Sequence, residues 1–483
     1  MACKIEADTR DSRETPIVHE EEGDTSGFSN DEKDMMRMGK LQQTKRNFGF
    51  LPLVGFATIM LATWESVFPF FLTGYINGGG PTMVYGYVSC FFSSLTVCAS
   101  ISEMAFMYPT SRGQYHWAAL LAPPEWSIFL SWLTGWRWHG TLLLYAVLLV
   151  SVFINTAAIK ILPALEGIIL ILHILGLIAI LMPLVHLASI SVAEFVFRHW
   201  ENYSGYTDGL SWFVGLIMSA VFFIGFDGAC HMAEEVKNAS MNIPRAMFFT
   251  IFLNGALGFV MVMVILFCIG NIDSALNTPT GYPFIEISRN ATQSDAGATA
   301  MTSILIAMIV FATFGYLASA SRQLWAFARN KGLPVDPRWS IPLYSIALTA
   351  LINSLLALIN IGSTVAFNAI VSLIAAGLFS SYIITIGLMV RKRVKEEHVP
   401  FGRWNMGKYG LAVNIYALLY TTIVLVFSFF PPMLPITAVS MSWSCVVFSG
   451  VIIFGLLFWM VSGQKQWKGP LMDRQFAQRA GAS

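Results

Sequence analysis

Charge is scarce in this chain. Only 12% of its 483 residues are Asp, Glu, Lys or Arg while 55% are hydrophobic, about half the charged share of an ordinary soluble domain. A soluble enzyme and a disordered chain are excluded on that balance. The 29 Lys and Arg are matched by 28 Asp and Glu, so no basic face exists to neutralise a row of phosphates, and nucleic acid is excluded as a partner. Cysteine is sparse as well. The six (Cys3, Cys90, Cys98, Cys230, Cys268, Cys445) show no close pairing that suggests a metal site or a disulfide framework; five lie in or at the ends of apolar runs and read as small apolar fillers. Reaction motifs are missing too. There is no G-x-x-x-x-G-K-[ST] pattern to bind ATP, and neither H-E-x-x-H nor G-x-S-x-G occurs. No cofactor is expected, and the chain reads as something other than an enzyme. Residues 1 to 46 are polar, carry Glu20, Glu21, Glu22, Asp24, Asp31, Glu32 and Asp34, and lack the apolar core of a signal peptide. A disordered acidic cytoplasmic tail is expected there.

What the chain has is long apolar runs. They lie near 48 to 74, 82 to 107, 126 to 157, 162 to 185, 211 to 233, 246 to 270, 299 to 320, 341 to 361, 366 to 390, 410 to 431 and 437 to 461. Continuous runs of roughly 20 residues are the signature of membrane helices, not of the alternating segments of a barrel. The expected fold class is an all-α polytopic membrane protein, with a transmembrane domain over 47 to 463 and a cytoplasmic tail over 464 to 483.

Short loops rich in Lys and Arg mark the cytoplasmic side. Lys40, Lys45 and Arg46 precede the first run. Arg322, Arg329, Lys331 and Arg338 form a second basic group, Arg391 to Arg393, Lys395, Arg403 and Lys408 a third, and Lys465, Lys468, Arg474 and Arg479 a fourth. Both termini are therefore expected to be cytoplasmic, with the plasma membrane as the location. Loops 187 to 210 and 271 to 298 fall outside, with the sequons at Asn202 and Asn290; that at Asn238 falls inside. Two cytoplasmic ends need an even number of crossings, whereas about eleven full runs are present. Only Trp126 to Trp136 remains for the extra crossing, and eleven residues of helix reach about 16 Å against a core of about 30 Å. Arg137-Trp138-His139-Gly140 follows at once. This stub is read as a truncated third span. The alternative, one long tilted helix over 126 to 157, inverts the second half and puts its basic loops outside.

Three stretches carry a resemblance. The first is Gly79-Gly80-Pro81, then Ser102-Glu103-Met104-Ala105 and Tyr108-Pro109-Thr110-Ser111-Arg112-Gly113-Gln114-Tyr115-His116-Trp117. The second is Phe223-Ile224-Gly225-Phe226-Asp227-Gly228-Ala229, then His231 to Val236 and Asn242-Ile243-Pro244-Arg245-Ala246-Met247. The third runs from Ala320 to Arg329 with Gly332-Leu333-Pro334, and Ala366 to Ile370 follows. In this order, over about residues 48 to 470, the set resembles the amino acid-polyamine-organocation superfamily, and specifically its fungal amino-acid/choline permease family, which includes GABA and choline carriers. Arg112 stands where members have glycine. The resemblance implies a LeuT-type transporter fold: two inverted five-helix repeats plus two helices, with substrate bound at the midplane between broken first and sixth helices. Against it, the gap at Trp136-Arg137 removes most of the third helix.

Several residues read as chemistry. Trp64, Glu65 and Ser66 lie inside the first run, where the family's first helix unwinds. A carboxylate at a helix centre costs about 2.5 to 3.5 kcal/mol, so it faces a cavity or a cationic partner. Glu65 is read as the contact for a substrate ammonium or for a coupling proton, and Trp64 as a face on which a cationic head group stacks. Gly225, between Phe223 and Phe226, permits a second break whose free backbone groups bind ligand, with Asp227 holding the break or accepting protons. Half-helix N-termini favour a substrate carboxylate. Each site also has a purely structural reading: a Glu hydrogen-bonded within the bundle, and a kink for close packing. Glu166 and His173 share a helix face, as a proton relay or as a hydrogen-bonded packing pair. Glu103, His231, Glu234 and Glu235 are read as gating or coupling residues, the last three near Lys237 and Arg245. The expected function is secondary active transport of an amino acid or related amine by alternating access, coupled to protons in the lipid bilayer. The alternative is a truncated, non-transporting form acting as sensor or regulatory partner.

Overall fold

The computed structural model describes Asp31 and residues 46–111, 113–123, 144–158, 160–278, 280, 282–329, 344–351, 354, 364–397, 399, 404–437 and 441–463. The stub 126 to 136, and with it the question of the third span, lies outside the described residues. So do most of the acidic tail, Arg112 and the last twenty residues.

Helices account for the described chain, apart from connecting loops and two isolated bridges, Phe48 with Val236 and Asn77 with Asn202. In order they are α1 (Phe50–Leu61), α2 (Thr63–Tyr75), α3 (Gly79–Met107), α4 (Gln114–Leu121), α5 (Leu144–Thr156), α6 (Leu162–Leu187), α7 (Asp208–Val221), α8 (Gly228–His231), α9 (Ala239–Phe267), α10 (Pro283–Thr292), α11 (Asp295–Arg329), α12 (Thr364–Val394), α13 (Gly410–Phe427) and α14 (Ser444–Phe458). Short turns at Ala193–Phe197 and Ile272–Leu276 sit in the connections. Among the described residues seven stretches are long and apolar enough to cross a membrane: α1 with α2 as one unit, α3, α6, α9, Asp295–Ala326, Gly407–Phe427 and Ser444–Val461. Helix α7 is apolar but shorter. Two of the expected runs, near 126 to 157 and 341 to 361, fall partly outside the described residues.

Burial ranks these helices. The apolar window of the first unit is 72% buried, while that of the last is 11% buried, so α1 and α2 run through the core and α14 lies at the rim. Helix α9 packs on α3, α1 and α2; α6 packs on α1; α7 and α13 pack on α3; and α12 lies along α13. The outward face of α6 presents Ile168, Ile171, Leu175, Ile178 and Met182. In water such a face would be a liability, but in hydrocarbon it is the ordinary solvent contact. Close helix contact follows from small residues where packing drives association. At Gly55 a β-carbon would stand 2.4 Å from the backbone oxygen of Glu166, so only glycine lets α1 and α6 approach this closely.

Polar groups gather at the two ends of this bundle. One end collects Arg46, Glu103, Ser111, Glu234, Glu235, Arg322 and Arg393; we call it the basic end. The other brings Asn77, Asn202, Ser211 and Tyr206 together with the backbone of Pro431 and Pro432.

Candidate functional site

Two interrupted helices meet at the centre. The first interruption is at Ala62, which takes the left-handed conformation (φ 43°, ψ 45°) between α1 and α2. For a residue with a β-carbon this is strained and persists only where surroundings fix it. They do so through side chains that bond backbone carbonyls beside it. The Met60 carbonyl accepts from the Tyr316 hydroxyl of α11, and that of Thr58 accepts from Asn254 Nδ2 of α9 at 3.2 Å. The second interruption follows α7: residues 222 to 227 continue as turns with i to i+3 bonds (Phe223 N to Ala220 O, Ile224 N to Val221 O) before the single turn of α8. Gly225 has φ +112° and faces the first break, where a β-carbon would come within 3.0 Å of the Met60 oxygen. Thr63 Oγ1 donates to the Phe222 carbonyl at 2.9 Å. Each break thus has a carbonyl satisfied by a side chain, as backbone at membrane depth requires.

The expected substrate residues cluster at these breaks. Trp64 and Glu65 form the first turn of α2, and both are fully buried. His173 of α6 places Nδ1 2.6 Å from Glu65 Oε1, with both side chains 0% exposed. The Trp64 indole N–H points at the same imidazole, 3.1 Å from Nε2 and 3.2 Å from Nδ1. Glu65 Oε2 has no hydrogen-bond partner among the described residues. A buried carboxylate with one oxygen paired and one bare has capacity for a further donor. Ser66 is half-buried, and its N–H bonds the Ala62 carbonyl. Phe223 and Phe226 are buried, the first against Tyr87 (centroids 5.3 Å apart), the second against Tyr382 (5.9 Å). Asp227 Oδ2 accepts from Gln114 Nε2 of α4 at 2.6 Å.

The four expected gating residues all lie at the basic end, with partners other than those expected. Glu235 pairs with Arg322 of α11 at 3.0 Å, not with Lys237 or Arg245, and Arg322 also donates to Asn155 Oδ1 of α5. Glu234 accepts from Ser111 Oγ at 2.9 Å, and His231 Nδ1 lies 3.4 Å from the Ser111 carbonyl. Glu103 Oε1 receives Arg393 of α12 at 2.6 Å and the Met406 N–H at 3.0 Å. Sequence proximity suggested the wrong cations because α11 and α12 arrive from far along the chain. Gly113, in the loop that supplies Ser111 and Gln114, has φ +53°, and a β-carbon there would stand 2.9 Å from His231 Cε1. The amino-terminal segment joins this end as well. Arg46 donates to the Val236 carbonyl at 2.6 Å and pairs with Asp31, whose carboxylate accepts from the N–H groups of Asn238 and Ala239 at the start of α9.

One further expectation is corrected. Glu166 and His173 share a face of α6, but His173 spends its hydrogen bonds on Glu65 and Trp64, and neither carboxylate oxygen of Glu166 has a partner among the described residues. Asn202, in the loop expected outside, sits in a local network: its amide nitrogen donates to the Tyr206 carbonyl and to Asp208, and its oxygen accepts from Ser204 and Ser211. Gln114, Tyr316, Thr63 and Arg322 were not singled out as site residues. Only the position of Gln114 and Arg322 within the quoted motifs could have pointed to them.

Comparison with known proteins places this geometry. Residues 129–451 match the family model described as amino acid permease. The chain is 28% identical to the amino-acid permease BAT1 of Arabidopsis thaliana, over 91% of this chain and 96% of that protein. It is 27% identical to a choline transporter of Saccharomyces cerevisiae, over 88% and 82%. Among solved structures, the manganese transporter of Eremococcus coleocola is similar at 12% identity over 87% of this chain and 96% of that one, with a TM-score of 0.48. The match to the family model spans most of the bundle and both its central and basic-end partners on α7, α8, α11 and α12, and on it the chain belongs to the amino acid permease family.

Proposed function

We propose that this chain is a secondary active transporter of an amino acid or a related amine, GABA and choline included, which works by alternating access and is coupled to protons. Membership of the amino acid permease family supports membrane transport of amino acids or organocations. The single observation that carries the finer reading is Glu65: a fully buried carboxylate at the break of the first helix, with one oxygen on His173 and the other bare. In this reading Glu65 receives the substrate ammonium, and Trp64 and the nearby Phe223 and Phe226 supply aromatic faces for an alkylammonium. A substrate carboxylate, where there is one, takes the backbone N–H groups at the start of α2, Thr63 to Glu65, and at Gly225 to Asp227. Asp227 holds the second break to α4 through Gln114. Glu103, His231, Glu234 and Glu235 close the basic end, which must part for release on that side. The tail of residues 1 to 46, the transmembrane domain of 47 to 463 and the tail of 464 to 483 follow, with both termini cytoplasmic and the plasma membrane as location.

Uptake of labelled GABA, choline and a mixture of amino acids by cells expressing the chain tests this, with surface expression measured alongside. Saturable uptake of one of them, lost in Glu65→Gln, is the expected result. Intact surface expression with no uptake of any would sink the transport reading and favour a non-transporting sensor form.

A further inference from the structure

We propose that His173 and the ammonium group of the substrate are alternative counter-ions of Glu65, so that binding an amine expels the proton that His173 carries. The inference rests on Glu65 being the ammonium site, as read above. Its basis is the arrangement of three side chains. Glu65 is fully buried, and its one charged or chargeable neighbour within hydrogen-bond reach among the described residues is His173. With the site empty, a protonated imidazole leaves the pair neutral, as a buried carboxylate demands. Trp64 acts in the opposite sense. Its indole N–H is a donor only, and it points at both ring nitrogens from 3.1 and 3.2 Å. A donor in that place is satisfied by a neutral imidazole and repelled by an imidazolium. His173 is therefore held between a carboxylate on one side and an N–H donor on the other.

An ammonium arriving at the bare Glu65 Oε2 tips the balance. Two cations beside one carboxylate would leave a net positive charge in the core, which costs several kcal/mol. The balance restores itself when imidazolium loses one proton to water and returns to neutral imidazole, still donating to Glu65 from Nδ1 and accepting from Trp64. One ammonium enters and one proton leaves, so charge is conserved. Other titratable groups face α6 from the helices packed on it. Of the helices packed on α6, α1 has no ionisable side chain and α9 has Arg245 alone, in its second turn. Helix α10 brings Glu286 and Arg289, the latter paired with Asp295 of α11. Helix α11 adds Tyr316, bonded to Met60, and Arg322, paired with Glu235. On α6 itself Glu166 lies two turns before His173.

Choline is the probe, since it carries the cationic head group without a carboxylate that could keep the imidazolium company. Binding of choline to the purified full chain should tighten on the order of tenfold as the pH is raised from 5.5 to 7.5. In weakly buffered solution near pH 6, wild-type protein should release up to one proton per choline bound, read by an indicator dye. His173→Gln should bind with one affinity across the range and release no proton. Binding by the wild type with no proton release, or release that persists in His173→Gln, overturns the exchange while leaving Glu65 as the ammonium site. Failure of choline, GABA and the amino-acid mixture alike to bind at any pH removes both.

Discussion

Thr63 and Phe222 join the two interrupted helices. The hydroxyl at the start of α2 donates to the carbonyl just past α7, across 159 residues of chain, at 2.9 Å. Tyr316 makes the matching contact to the Met60 carbonyl on the other side. Together they convert two strained breaks into one crossing.

Removing either hydroxyl should therefore weaken the core out of proportion to the atoms lost. Thr63→Val keeps the shape but leaves a buried carbonyl bare, at a cost of about 1 to 3 kcal/mol. Tyr316→Phe should cost a similar amount. Thermal unfolding in detergent measures both, and midpoints equal to wild type would mean that the breaks are held by other contacts.

Backbone geometry makes a second expectation. Gly225→Ala forces a β-carbon to 3.0 Å from the Met60 oxygen at φ +112°, and Gly113→Ala forces one to 2.9 Å from His231 Cε1 at φ +53°. Each should lose on the order of 1 to 3 kcal/mol. Gly225→Ala should also abolish uptake, whereas Gly113→Ala should disturb the basic end. Surface expression and initial uptake rates separate the two effects.

Glu65 and Asp227 should fail in different ways. Glu65→Gln removes the charge offered to an ammonium and should raise KM for uptake by roughly tenfold or more, since truncating one partner of a buried charge pair costs about 2 to 5 kcal/mol. Asp227→Asn keeps a group able to meet Gln114 and should lower the maximal rate more than the affinity. Equal KM for Glu65→Gln and wild type would remove Glu65 from the substrate site.

At the basic end, Arg322→Gln strips Glu235 of its cation and releases Asn155, so the closed arrangement should lose population. Cys230, buried one residue before His231, reports on it in a chain whose other cysteines are alanine. A membrane-permeant maleimide should label it several-fold faster in Arg322→Gln, and adding Glu235→Gln should slow labelling again, because the uncompensated carboxylate is gone. Labelling at the wild-type rate would show that this pair does not hold the end shut.

Much of the architecture was legible in the chain because the bilayer leaves few choices. An apolar run of the right length must be a helix, and a glycine amid Phe223, Phe226 and Asp227 in such a run marks a break. Gly225 is where the second interruption falls. The first was legible only through Glu65, the polar residue that had to face something; Ala62, where the helix is broken, is an ordinary alanine with no local signal. His231, Glu234 and Glu235 were legible as neighbours at one end of a run, whereas the arrival of Glu103 at the same end was not, because it depends on how α3 packs against the rest.

The amino-acid sequence by itself determined that this is a helical membrane protein, which of the described runs are helices, and which carboxylates lie inside them. Those properties depend on composition within some twenty consecutive residues, where the cost of burying a charge or a bare peptide group acts directly. Tertiary structure alone decided the partners: Glu65 instead of Glu166 for His173, Arg322 instead of Lys237 or Arg245 for Glu235, Gln114 for Asp227, and the Tyr206, Ser204 and Ser211 network for Asn202. A hydrogen bond is satisfied by whichever donor packing brings within about 3 Å, and in this bundle that donor often comes from a helix a hundred residues away.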